Sequence, residues 1–259
     1  MNELFGIKHI ILIVISIALI ISLFFLSRKF QLKTIYKILF YTGIVTEFFK
    51  LFTYIIKNEE VYGGILPKTD LPLHLCSIQI IFFAILNFSK NENLKKFLLA
   101  FMFPSCLFGG IAAILIPTTS ALNTWVITIQ YFVYHICLVV FAIKLISSKE
   151  IKFTHKDYFN CLKFLVILLF ASIYINSILY DGNKNINFMY VVSPPVSGLP
   201  YLNENNGWLS YIIKYAILIV VCVTLCYIKP IITAIKNSKR HFNKIQKESN
   251  TDKESNDKQ

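Results

Sequence analysis

The chain has 259 residues, 56% of them hydrophobic and only 15% charged, with a formal net charge of +12 and a mean hydropathy of +0.61. A soluble domain usually carries about a quarter charged residues, so a water-soluble globular fold is excluded. The positive charge gathers in loops between apolar segments and in the tail; no soluble basic domain exists to bind nucleic acid, and none is expected as a partner.

Seven segments suit membrane spans of roughly 20 residues: 7–26, 35–56, 71–88, 94–116, 124–145, 159–179 and 209–235. A chain in lipid must satisfy its own backbone hydrogen bonds, so each reads as a helix. The expected fold is all-α, a polytopic seven-transmembrane-helix bundle over residues 1–235 followed by a basic, polar tail at 236–259. The first segment is longer than the apolar core of a signal peptide, and Arg28 and Lys29 follow it instead of preceding it, so it reads as a retained span.

Lysine and arginine counts orient the bundle. Arg28, Lys29 and Lys33 fill the first loop; Lys57 and Lys68 in the second are offset by Glu59, Glu60 and Asp70. Lys90, Lys95 and Lys96 follow, then no basic residue from 117 to 124, then Lys149, Lys152 and Lys156, then only Lys184. This alternation places the N-terminus outside and the C-terminus inside a cell membrane. The tail is polar enough to be disordered, and Lys236, Lys239, Arg240, Lys244 and Lys247 suit anionic headgroups.

His9 lies near the outer end of the first span and reads as structural or as part of a polar pocket. Glu47 and Lys50 lie three residues apart on one helix face, either paired or facing a pocket inside the bundle. Asp70 before Leu71-Pro72 reads as a helix start. That would put His74 and Cys76 in the first two turns of the third span, where the helix dipole favours a thiolate. Their side chains would then point about 200° apart, so a base for Cys76 must come from another helix. Pro104 predicts a kink in the fourth span, and Gly109-Gly110 a close helix–helix approach.

In the fifth span, Gln130 and His135 lie in an otherwise apolar helix, and so buried a histidine needs a partner. Counted from Asn123, His135 lies about 18 Å deep, and Cys76 about 8 Å deep in its own span, at roughly 1.5 Å per residue. The mismatch is about two turns. The other cysteines, Cys106, Cys137, Cys161, Cys222 and Cys226, form no C-x-x-C pair, so neither a metal site nor a disulfide framework is expected, and no cofactor. The outer loop from 181 to 207 carries Asn187-Phe188-Met189-Tyr190, Ser193-Pro194-Pro195, Gly198 and Pro200, and leads into Gly207-Trp208-Leu209-Ser210-Tyr211. Its length and apolar content predict a loop folded back over the outer mouth of the bundle.

Leu71-Pro72-Leu73-His74-Leu75-Cys76, residues 130 to 135, Asn187 to Tyr190 and Gly207-Trp208 with Tyr211 occur in the order that resembles the bacterial YwaF-type integral membrane proteins, over nearly the whole chain. That family is similar in turn to the transmembrane protein 164 family, described as cysteine-dependent phospholipid acyltransferases. The resemblance implies Cys76 as acyl-accepting nucleophile and His135 as base. It also implies His74, Gln130, Asn187, Tyr190 and Trp208 around the substrate, and membrane lipids of a bacterial cytoplasmic membrane as partners. The chain departs from the pattern at Trp125, where a histidine is frequent, at Phe188 in place of a tyrosine, and in the shortened Gly207–Tyr211 motif. The alternative reading is a non-enzymatic lipid or small-molecule binder or transporter, with His9, Glu47, His74, Gln130 and His135 lining a pocket. No inverted repeat supports transport, and the last span has no central lysine for a retinal Schiff base, Lys214 and Lys229 lying toward its ends.

Overall fold

The computed structural model describes residues 4–57, 66–122, 124–148, 150–182, 186–196, 199, 201–203 and 207–256. Its described residues form seven α-helices and no strand: α1 Ile7–Ser27, α2 Leu32–Lys57, α3 Leu75–Phe88, α4 Glu92–Leu115, α5 Trp125–Ser147, α6 His155–Leu179 and α7 Gly207–Asn256. Short 3₁₀ turns lie at Lys68–Asp70, Thr119–Leu122 and Phe188–Tyr190. Glu59, Glu60, Asn123, Lys149, Lys184, Gly198 and Pro200, used above to count charges, depth and loop content, lie outside the described residues.

Local chemistry sets the helix starts. Asn91 accepts the Leu94 N–H at 3.0 Å, and Thr154 forms a reciprocal capping box with Asp157. Five helical stretches are long and apolar enough to cross a membrane: α1, α4, α5, α6 and Gly207–Lys239 of α7. The other two expected spans fall short of that standard. α2 has 26 residues but carries Lys33, Lys37, Glu47, Lys50 and Lys57. α3 has only 14 residues, about 21 Å of helix against a hydrocarbon core of about 30 Å. The chain is a multi-pass, all-helical membrane protein.

α4 and α5 form the centre, with Phe101, Met102 and Cys106 of one and Leu138, Phe141 and Leu145 of the other fully buried together with Phe83 of α3. Gly110 permits the approach: a Cβ there would stand 2.7 Å from Val139 Cγ2 and 3.1 Å from the His135 carbonyl oxygen. Gly109 faces open space, so the expected close contact belongs to one glycine of the pair. On the outside, α1, α6 and α7 present Ile7, Val14, Ile167, Ile178 and Leu209, the surface expected of helices facing lipid. α7 continues through the basic tail to Asn256, where composition alone suggests disorder. After Pro230 the tail contains no glycine or proline to stop it.

Pro104 lies inside α4. Its missing N–H leaves the Ala100 carbonyl without a helical donor, a serious cost away from water. The fully buried Tyr227 of α7 supplies that donor, its hydroxyl 2.8 Å from the Ala100 oxygen. Tyr227→Phe is therefore expected to lower stability by about 1–3 kcal/mol with little change in packing. Thermal unfolding of the detergent-solubilised protein measures this, and an unchanged midpoint would show that the carbonyl has another donor.

Candidate functional site

The site grows from the late start of α3. Pro72 favours an extended Leu71, which has φ −58° and ψ 144°, and the Leu73 N–H folds back onto the Leu71 carbonyl at 2.7 Å. The helix therefore begins at Leu75, with His74 extended at φ −71° and ψ 152° as its N-cap residue, offering no side-chain cap. This corrects the expectation of a proline-started helix beginning at Asp70. Asp70 closes the 3₁₀ turn instead, and its carbonyl accepts from Lys50 Nζ at 3.0 Å. Lys50 also pairs with Glu47 at 2.6 Å. The α2 ion pair thus anchors the segment leading into His74 and Cys76.

Cys76 is the second residue of α3 and half-buried. The Tyr134 hydroxyl donates to its carbonyl at 3.2 Å. This contact ties the first turn of α3 to α5, the helix that carries His135. His74 stands outside the helix, so the 200° separation from Cys76 does not apply to it. The His74 and His135 imidazoles interact electrostatically, and Tyr131, Tyr134 and Tyr190 all lie within electrostatic reach of the Cys76 thiol.

His135 is buried, with Nδ1 2.7 Å from the Tyr131 carbonyl oxygen. A carbonyl only accepts, so Nδ1 carries the proton and Nε2 keeps its lone pair, the form a general base needs. The Tyr131 ring lies 4.2 Å from the imidazole, and its hydroxyl donates to the Ala113 carbonyl at 3.2 Å. His9 has the opposite tautomer. Its Nδ1 accepts the Phe5 N–H at 3.0 Å, and its Nε2–H donates to the Ile114 carbonyl at 3.0 Å, tying α1 to the end of α4.

A roof covers this end of the bundle. Buried Asn176 of α6 holds the Phe188 backbone from both sides, accepting its N–H at 2.8 Å and donating to its carbonyl at 3.2 Å. Tyr215 donates to the Met189 carbonyl at 3.0 Å, Tyr211 to the Tyr190 carbonyl, and Trp208 Nε1 to the Val191 carbonyl at 2.8 Å. These contacts hold Met189 and Tyr190 at φ 56° and 53°, a left-handed conformation that costs a non-glycine residue about 1–3 kcal/mol. The turn sets Phe188 and Tyr190 against His74, with ring centroids 5.1 and 5.4 Å away. Burial, then the nearby Cys76 and Tyr215, push the Tyr190 phenol above its ordinary range, so it stays a neutral hydroxyl.

The expected site residues thus divide. His74 packs against Tyr190, and the two lie within electrostatic reach of His135 and of Cys76 respectively. Asn187 spends its side chain bracing the loop, donating to the Ser193 carbonyl at 2.7 Å and accepting the Val192 N–H at 3.0 Å. The Trp208 indole is likewise taken by the loop. Gln130 is half-buried and has no hydrogen-bond partner among the described residues. Sequence reasoning missed Tyr134, Asn176, Tyr215 and Gln79, each a polar side chain in an apolar helix. Gln79 Nε2 donates to the Leu75 carbonyl at 3.2 Å and to Ser105 Oγ at 3.1 Å. Among the described residues, no three His, Cys, Asp or Glu side chains group as a metal site.

Asn176→Leu keeps the volume and removes both bonds to Phe188. The expected loss is about 2–4 kcal/mol from two unpaired buried backbone groups. Hydrogen exchange would show it as faster exchange confined to Phe188–Val191, with the α4–α5 core unchanged. Equal protection in the variant would mean that the α7 donors hold the roof alone.

No curated protein and no solved structure matches the chain. A family model does, over residues 4–227, from just before α1 into the membrane-length part of α7. With nearly the whole helical bundle inside that match, the chain belongs to the TMEM164 family.

Proposed function

We propose that this protein is a cysteine-dependent phospholipid acyltransferase or transacylase, with Cys76 as nucleophile and His135 as proton shuttle. The observation that supports the reading is the Tyr134–Cys76 contact, which ties the first turn of α3 to the helix that carries the buried His135. His135 Nε2 accepts the thiol proton, and the thiolate attacks the ester carbonyl of a donor phospholipid. The ester C–O bond breaks, and the leaving alkoxide takes the proton back from His135, giving a lysophospholipid and a Cys76 thioester. An acceptor hydroxyl then passes its proton to Nε2 and attacks the thioester; the C–S bond breaks and the returning proton restores the thiol.

The uncapped N-terminus of α3 supports the same reading. With no side-chain cap from His74, first-turn N–H groups are left for a developing oxyanion. His74, Gln130 and Tyr190 face the acyl chain or headgroup in this scheme, while Asn187 and Trp208 shape the entrance through the loop. Alternating loop charge supports an N-terminus outside and a C-terminus inside, with all seven helices embedded and the site open outward. The YwaF-like motifs support a bacterial cytoplasmic membrane as its location.

Purified protein incubated with an alkyne-tagged phospholipid is expected to take up a hydroxylamine-sensitive acyl label. Cys76→Ser should remove it, and His135→Ala should slow its formation about 10²-fold or more. A label that survives Cys76→Ser would sink the mechanism.

A further inference from the structure

At the end of the bundle opposite Cys76 lies a cavity of about 740 Å³. The start of α2, the end of α3, the first turn of α4 and the α5–α6 connection meet there. The floor is apolar, built from buried Leu86, Leu99 and Tyr36. The rim carries four ammonium groups, Lys33, Lys95, Lys96 and Lys152, against the carboxylates of Glu92 and Glu150.

The pairing on the rim leaves positive charge over. Lys95 lies 2.9 Å from Glu92, and Lys96 reaches Asp157 only at 3.9 Å. Glu150 Oε1 is held by the Leu32 N–H at 3.3 Å. Lys33 and Lys152 have no partner among the described residues. The positive end of the α4 dipole points the same way, into the first turn at Glu92. The volume falls within the range of small-molecule sites, and the field selects an anion.

We propose that this cavity binds the phosphate group of a phosphate ester, with Lys33 and Lys152 as its counter-ions. The apolar floor takes the carbon skeleton attached to it. Two sources offer that chemistry, the headgroup of an anionic phospholipid and a soluble phosphate. Lysines between membrane helices suit the first and bind the second as point charges. The site lies away from Cys76 and does not depend on its chemistry.

The test uses the purified full chain in neutral detergent, with native mass spectrometry and thermal unfolding as readouts. Dioleoylphosphatidylglycerol is expected to bind roughly tenfold tighter than dioleoylphosphatidylcholine. The double variant Lys33→Gln/Lys152→Gln should lose that preference. Lys29→Gln/Lys156→Gln, which removes the same charge from exposed positions outside the cavity, should keep it. Inorganic phosphate that displaces the lipid, with the same lysine dependence, assigns a soluble anion as occupant; failure to displace it assigns the lipid. Equal binding of the two lipids without phosphate binding overturns the proposal, as does equal loss in both double variants. Should the first double variant not fold, lysine acetylation of the unaltered chain decides. Phosphatidylglycerol or inorganic phosphate should protect Lys33 and Lys152 about fivefold more than Lys29, and equal labelling overturns the site.

Discussion

The structure depends on one constraint: backbone that leaves helical geometry inside a membrane must find its hydrogen bonds from side chains. Tyrosines supply most of them. Tyr227 donates to the carbonyl freed by Pro104, Tyr134 to the first turn of α3, Tyr131 to the end of α4, and Tyr215 and Tyr211 to the Phe188–Tyr190 turn. A phenol suits this work, since its ring packs as an apolar side chain and its hydroxyl reaches a carbonyl several ångströms away. Lys50, Asn176, Trp208 and His9 do the same at other breaks.

Apart from the Pro104 break covered by Tyr227, the breaks and their donors gather toward the end of the bundle that holds Cys76. The non-helical entry at Leu71–His74, the strained turn at Met189–Tyr190 and the end of α4 near Ile114 all lie at one end of the bundle. Such a concentration of irregular, fully braced backbone is costly, and such strain collects at functional sites. At the opposite end the helices meet through ordinary caps, charged side chains and the aromatic cluster of Phe103, Phe153, Tyr158 and Tyr227. The two ends also differ electrostatically, with the buried histidines His9 and His135 at one and excess ammonium groups at the other. One unsatisfied group stands out near the first end: Gln79 Oε1, one turn beyond Leu75, is buried without a partner among the described residues.

The candidate side chains were legible in the sequence, because a cysteine, two histidines and a glutamate–lysine pair are conspicuous among apolar residues. Their geometry was not. The depth count treated the third span as a helix from Asp70, whereas the extended entry at Pro72 delays the helix to Leu75 and a Tyr134 bond ties its first turn to α5. The Glu47–Lys50 pair was visible from its spacing, but its hold on the Asp70 carbonyl depends on a residue 20 positions away. Asn187 and Trp208 looked like ligand contacts because polar and aromatic residues in a loop can serve either purpose, and here their polar atoms brace the loop.

Sequence by itself determined the all-helical class, the number and order of the helices and the membrane as solvent, since these follow from hydropathy and helical length, which are local. It also named Cys76 and His135. Tertiary structure alone decided how α3 docks on α5, which donor covers the carbonyl freed by Pro104 and which side chains close the roof over His74. Those depend on hydrogen bonds between residues far apart in the chain, such as Tyr134 with Cys76 and Tyr227 with Ala100, and no local pattern encodes such a partner.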